Sequence, residues 1–229
     1  MLIVKKNVYF KEKQKLNIAY ATGLSGPISN LLELEYDVNV LDVTKDIDEI
    51  DLLIFTGGAD VSPSFYKEKV GKYTHVMAHR DVEERKIYRE YTNTPKLGIC
   101  RGAQFLTVMA GGKLIQHVGQ HGISHLVEDK EGNVLSITST HHQMMYPYEI
   151  LADKFDLIAW SEEKRSETYL NGNNEEMPIL PTFKEPEIVY YEGENSLAIQ
   201  GHPEFVTCPE ITKEYCLDLI GMLLEGSLK

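Results

Sequence analysis

The sequence predicts an α/β fold whose first half builds a mostly parallel sheet and whose second half adds antiparallel strands. Three observations carry this expectation. Short apolar runs rich in Ile, Val, Leu and Tyr recur along the chain, helix-compatible segments separate them in the first half, and the second half crowds strand-like runs together. Alternation of strand and helix favours parallel pairing through right-handed crossovers, whereas consecutive strands favour hairpins or a mixed sheet.

Taken in order, strands are expected at 16–21, 38–43 and 52–55, with a helix at 27–34 between the first two and another at 81–91 after the third. The strand 96–100 runs into a helix at 101–110, and strands follow at 134–138, 157–160, 188–191 and 197–200. A helix at 210–224 comes last, with Ile211, Tyr215, Leu219 and Met222 near helical spacing as its apolar side. The stretch 170–186, with Asn171, Gly172, Asn173, Asn174 and three prolines, reads as a long exposed connection.

Apolar residues make up 42% and charged residues 25% of 229 positions, the balance of a globular chain with one sizeable core, so one domain over 1–229 is expected. Met1 to Tyr9 carries two lysines but no apolar stretch of the kind a secretory signal needs, and no run approaches membrane-spanning length. A cytoplasmic location without a membrane partner is therefore expected. Cys100, Cys208 and Cys216 are an odd set without a pairing pattern, which suits a reducing compartment. A net charge of −12 with 23 scattered Lys and Arg residues opposes binding to nucleic acid and leaves a small molecule or another protein as the partner.

The sharpest local signal is Leu97-Gly98-Ile99-Cys100-Arg101-Gly102-Ala103-Gln104, an apolar strand entering a helix with Cys100 at the junction. Glycine two positions away on each side is the pattern of a nucleophile elbow with cysteine in place of serine. A lone strand cysteine is ordinarily a core residue, and the paired glycines are what change the reading. The helix start leaves backbone N–H groups free, and that of Arg101 is placed to stabilise an oxyanion on an attacked carbonyl. Cys208 and Cys216 lack such a frame and are read as packing or surface residues.

Ala198-Ile199-Gln200-Gly201-His202-Pro203-Glu204-Phe205 puts a histidine and a glutamate two residues apart at a strand end. In extended backbone such residues share a face, so Glu204 can orient the His202 imidazole while its other nitrogen meets the thiol. A histidine so placed activates a thiol that is only a few per cent ionised at neutral pH, and later protonates a leaving amine. The pair gains weight from the Cys100 elbow; alone it would read as a surface ion pair.

Three segments together resemble class I glutamine amidotransferases: 98–104, 200–204, and the turn Gly57-Gly58-Ala59-Asp60 after 52–55. A narrower resemblance is to the γ-glutamyl-γ-aminobutyrate hydrolase group. It rests on Gly57 through Pro63 followed by Phe65-Tyr66, on Arg80-Asp81-x-x-Glu84, on Gly111-Gly112-Lys113-Leu114-Ile115-Gln116, and on Ser139-Thr140-His141-His142-Gln143. The resemblance implies a flavodoxin-like three-layer sandwich and a cysteine-dependent hydrolase that opens the γ-glutamyl C–N bond through a thioester, without a cofactor. It implies Cys100 as nucleophile, His202 as base and Glu204 as its orienting partner. Gly57 and Gly58 would join Arg101 in an oxyanion hole, Gln104 would bind the glutamyl moiety, and the backbone around His142, Gln143 and Met144 would hold its α-amino and α-carboxylate groups. A homodimer, or a separate synthetase fed with ammonia, is the protein partner compatible with this frame.

Two further patterns are read as structural. His117, His121 and His125 recur every four residues beside the adjacent His141 and His142, but Gly119 and Gly122 interrupt any helix and no carboxylate cluster is visible nearby in sequence, so no metal is expected. Arg80, Asp81 and Glu84 are explained by an Arg80–Glu84 pair on a solvated helix.

Overall fold

The computed structural model describes residues 12–45 and 47–228; segment 1–9, read above for a leader, lies outside the described residues. Strand β1 (Gln14–Tyr20) sets the pattern, with Ile18 and Tyr20 packed on one side of the sheet and Ala19 on the other, as a period of two requires. Helix α1 (Gly26–Leu32) starts where Ser25 caps the Ile28 N–H and Pro27 pre-sets the first turn, and it returns the chain to β2 (Tyr36–Val40), parallel to β1. The alternation continues through β3 (Leu52–Phe55), α2 (Ala78–Glu90), β4 (Lys96–Ile99) and α3 (Arg101–Met109).

Short strands then follow closely: β5 (Lys113–Ile115), β6 (His117–Val118), β7 (His125–Asp129), β8 (Val134–Ile137), β9 (Met144–Tyr146), β10 (Asp156–Ser161), β11 (Thr168–Leu170), β12 (Glu176–Pro178), β13 (Pro186–Tyr191) and β14 (Ser196–Ile199), before α4 (Glu210–Leu224). A nine-stranded sheet runs in the order β2-β1-β3-β4-β14-β13-β10-β7-β8. From β2 to β14 the neighbours are parallel, and from β14 to β8 they are antiparallel. The expected α/β architecture is thus realised, with β14 as the seam between the two halves.

Two cores make the sandwich three-layered. On one face α1 and α4 cover Ile18, Leu52, Ile54, Leu97 and Ile199; on the other, α2 and α3 cover Ala19, Leu53 and Phe55, with Phe105 stacked on Phe55 at 5.1 Å. Full burial of each large apolar side chain contributes about 2 kcal/mol.

Two expectations change. The inward face of α4 is Thr212, Cys216, Leu219, Ile220 and Leu223, whereas Ile211 is 63% and Met222 40% exposed. The face is rotated so that Thr212 and Cys216 are buried beside the large hydrophobes, the Thr212 hydroxyl donating to the Ser136 carbonyl on β8. Segment 170–186 is not one open connection: β11 and β12 form a hairpin that pairs with β6, closed by Asn171 side-chain bonds to the N–H groups of Asn173 and Glu175. Cys208 and Cys216 are both buried. No helix among the described residues is long and apolar enough to cross a membrane.

Candidate active site

Parallel pairing aligns the C-terminal ends of β3, β4 and β14 at one edge of the sheet. Phe55 lies opposite Gly98 and Ile99 opposite Ile199, and the Cys100 N–H donates to the Ile199 carbonyl at 2.8 Å. Gly57 and Gly58, Cys100 and His202 therefore emerge side by side, at the edge where open α/β sheets bind their ligands.

Cys100 itself sits at φ 53° and ψ −109°, a conformation that non-glycine residues avoid and that persists only where the surroundings enforce it. The surroundings here are the two glycines. A β-carbon on Gly98 would come within 2.6 Å of the Gly102 backbone, and one on Gly102 within 2.0 Å of the Phe55 carbonyl. Only their absence lets the strand turn directly into α3 and leaves the sulfur at the turn.

The His202 Nδ1 lies 2.8 Å from Glu204 Oε1, and its Nε2 is 2.9 Å from the Thr140 hydroxyl. The residue is held by its own backbone N–H, which donates to the Thr138 carbonyl, and by stacking of its ring on Phe205 at 4.2 Å. Sequence placed the pair on extended backbone. The segment instead turns, the Phe205 N–H reaching the His202 carbonyl, and the carboxylate meets the imidazole by that turn. Burial alone would push the imidazole down, but its contacts with Cys100 and Glu204 outweigh burial and hold it up to about 10.

A cavity of about 290 Å³ opens between Cys100 and His202 and is lined also by Gly58, Arg101, Gln104, His142 and Gln143. Gly57 stands at its edge, where a β-carbon would be 3.5 Å from the His202 ring and 3.8 Å from the Cys100 β-carbon. The Gln104 amide nitrogen donates to the Gln143 carbonyl at 3.0 Å. The His142 carbonyl accepts from Val118, so the carbonyls of residues 142 and 143 are both engaged within the protein. Met144 does not line the cavity. It is fully buried on β9, in a core with Ile115, Val118 and Ile179.

Three lining residues, Asp60, Thr140 and His141, carried no expected site role. Thr140 touches His202, and Asp60 pairs with His142 at 3.2 Å and holds its imidazole up. Both lie inside motifs quoted from the sequence, but nothing local distinguishes them from turn residues.

The largest departure concerns α2. Asp81 and Glu84 are fully buried and form ion pairs with the buried Arg101 guanidinium, while Arg80 bridges Glu84 to the glycine turn. Its guanidinium donates to the carbonyls of Thr56 and Gly57, each at 3.0 Å, and Arg101 Nε donates to that of Ala59. In a trans peptide the following N–H points the opposite way. The N–H groups of Gly57 and Gly58 are thereby turned away from Arg80. Gly58 adopts φ +140°, and a β-carbon there would lie 2.4 Å from the Arg80 guanidinium. The helix face read as solvated is the support of the cavity wall.

The Peptidase C26 family profile matches residues 4–166, more than half the chain and inclusive of the Cys100 elbow. The chain belongs to the Peptidase C26 family. Its relatives place it in the class I glutamine amidotransferase superfamily. A glutamine amidotransferase-like protein of Lactococcus lactis, YvdE, is 36% identical over 99 residues, covering 41% of this chain and 40% of the relative. The carbamoyl phosphate synthase small chain of Vibrio vulnificus is 39% identical over 62 residues, covering 27% of this chain and 16% of that one. The chain therefore spans less than half the length of these relatives. A crystal structure described as a GMP synthase component from Thermoplasma acidophilum superposes with a TM-score of 0.57 at 18% identity, covering 94% of this chain and 97% of the other, a likeness of fold.

Proposed function

We propose that this Peptidase C26 member hydrolyses the γ-glutamyl C–N bond of glutamine or a γ-glutamyl amine through a thioester on Cys100. The observation that carries the reading is the His202 imidazole, held between Glu204 and the Cys100 side of one small cavity. Cys100 passes its thiol proton to His202 and its sulfur attacks the γ-carbonyl carbon, forming a C–S bond and an oxyanion that meets the N–H groups of Gly57 or Gly58 and Arg101. His202, whose imidazolium Cys100 and Glu204 favour, gives that proton to the leaving nitrogen as the oxyanion collapses and the C–N bond breaks. Water then attacks the thioester, His202 takes its proton, and the C–S bond breaks to release glutamate.

Gln104, His142 and Gln143 form the far wall and would bind the α-amino and α-carboxylate groups. With the carbonyls of 142 and 143 engaged, the backbone offers N–H groups for the carboxylate, and the Asp60 carboxylate is the acceptor suited to the ammonium. Arg80 acts as a positioning residue by fixing the glycine turn.

A second reading is favoured by the similarity to a carbamoyl phosphate synthase small chain: the chain would be a glutaminase subunit that passes ammonia to a synthetase. Steady-state assay of the isolated chain against γ-glutamyl amides and glutamine separates the two. Turnover of γ-glutamyl amines alone supports the hydrolase, and turnover of glutamine only with an added synthetase supports the ammonia donor.

A further inference from the structure

Where His141 lines the cavity, three histidines converge on one carboxylate behind it. His121 Nδ1 is 3.3 Å from Glu187 Oε1, His141 Nε2 is 3.6 Å from the same oxygen, and His125 Nε2 is 2.9 Å from it. His121 and Glu187 are 0% exposed and His141 is 3% exposed. The carboxylates missing from the local sequence thus arrive from β13 and the residue before it, more than sixty residues from His121 and His125 in the chain.

The outer nitrogens are satisfied. His121 Nε2 faces Glu185 at 3.2 Å, His141 Nδ1 faces the Gln143 carbonyl at 2.8 Å, and His125 Nδ1 faces the Ile123 carbonyl at 3.0 Å. The inner atoms are not: His121 Nδ1, His141 Nε2 and Glu187 Oε2 make no hydrogen bond to the described residues. Since His141 donates from Nδ1 to the Gln143 carbonyl, the Nε2 of the neutral ring presents a lone pair. That lone pair points at a carboxylate. Two acceptors facing each other in a dry interior repel unless something positive lies between them.

We propose that His121 Nδ1, His141 Nε2 and a Glu187 carboxylate oxygen bind a zinc ion. The three ligand atoms lie within 4.8 Å of one another. Ligands about 2.0–2.1 Å from a tetrahedral zinc stand about 3.3 Å apart, which matches the two separations to Glu187. Outer nitrogens that donate to a carboxylate and to backbone carbonyls are the support that zinc-bound imidazoles take. The ion would tie β13 and the loop before β7 to segment 141–143, the wall opposite Cys100.

The test uses the full chain, produced without a metal-chelating tag and refolded with and without zinc sulfate. One equivalent of zinc by elemental analysis after dialysis against EDTA, and a higher Tm in the zinc-refolded sample, are expected. His121→Gln and His141→Gln should each lower retained zinc at least tenfold and abolish the zinc-dependent Tm shift. Glu185→Gln keeps an oxygen for the Arg165 and Ser166 N–H groups that Glu185 accepts from but removes the charge facing the outer nitrogen of His121, and should weaken zinc binding about 10- to 100-fold. Cobalt substitution gives a second readout where a histidine variant folds poorly, with the intense visible absorption of a tetrahedral site expected in the wild type. A wild type that retains no zinc, shows the same Tm with and without it, and gives no such absorption overturns the proposal and leaves the cluster held by protons.

Discussion

Replacing Arg80 by lysine tests whether the glycine turn is built for the reaction or merely present. Arg80 holds the Thr56 and Gly57 carbonyls from two nitrogens of one rigid fork, and its Nε also reaches Glu84. Lysine keeps the charge but is a point donor on a flexible stem and cannot hold both carbonyls in one plane. Loss of one oxyanion donor outright costs about 10²- to 10³-fold in kcat. A turn that is loosened but not removed should cost about 10- to 100-fold, with KM changed less than about threefold, because the glutamyl wall is untouched. Glu84 keeps its Arg101 partner, so the fold should lose only about 1.5–3 kcal/mol, the scale of a lost charged hydrogen bond. In a chain of this size that lowers Tm by about 3–12 °C. The assay is kcat and KM on a γ-glutamyl anilide beside a thermal melt. A kcat within about twofold of wild type, or a loss carried wholly by KM, would refute the positioning role.

Cys100→Ala should abolish turnover with little change in Tm, and His202→Asn should fall nearly as far, because nucleophile and proton carrier act as a unit; Glu204→Gln should be milder in the same assay. Gly102→Ala should lower Tm by more than about 4 °C, since its β-carbon would strike the Phe55 carbonyl at 2.0 Å and backbone cannot step aside as a side chain can; an unchanged melt would contradict the packing of the elbow. The folded His202 pKa lies above its unfolded value, so its pairing stabilises fully below about pH 6.5 and is lost as pH rises through about 10. Urea melts from pH 6 to 10.5 should show that decline, and Glu204→Gln should flatten it; a decline of equal size in the variant would show that another group is responsible.

The central strands and the elbow were legible because backbone geometry demanded them. A strand-to-helix turn with Cys100 between Gly98 and Gly102 has few other uses, and 52–55 and 210–224 were bounded by their apolar runs. What sequence could not give was distance across the sheet. Asp81 and Glu84 read as solvent-facing because the cation that buries them, Arg101, comes from another helix. Glu185 and Glu187 reach the histidines only through the antiparallel half of the sheet. The short strands β5, β6, β9, β11 and β12 were missed because two or three residues, some charged, carry no period to detect, and β7 because its inward face is His125, Val127 and Asp129 rather than an apolar run. Met144 was drawn into the substrate wall by its neighbours His142 and Gln143, but β9 pairs it with Ile115 and buries it.

The thioester is the claim on which the account stands, and it can be trapped. The isolated chain, mixed with a γ-glutamyl anilide and quenched in acid within the first turnover, should carry one glutamyl group on the peptide containing Cys100. The adduct should be removed by hydroxylamine and be absent from Cys100→Ala. Steady turnover of the substrate with no adduct on Cys100, or with the glutamyl group on another residue, would contradict the account.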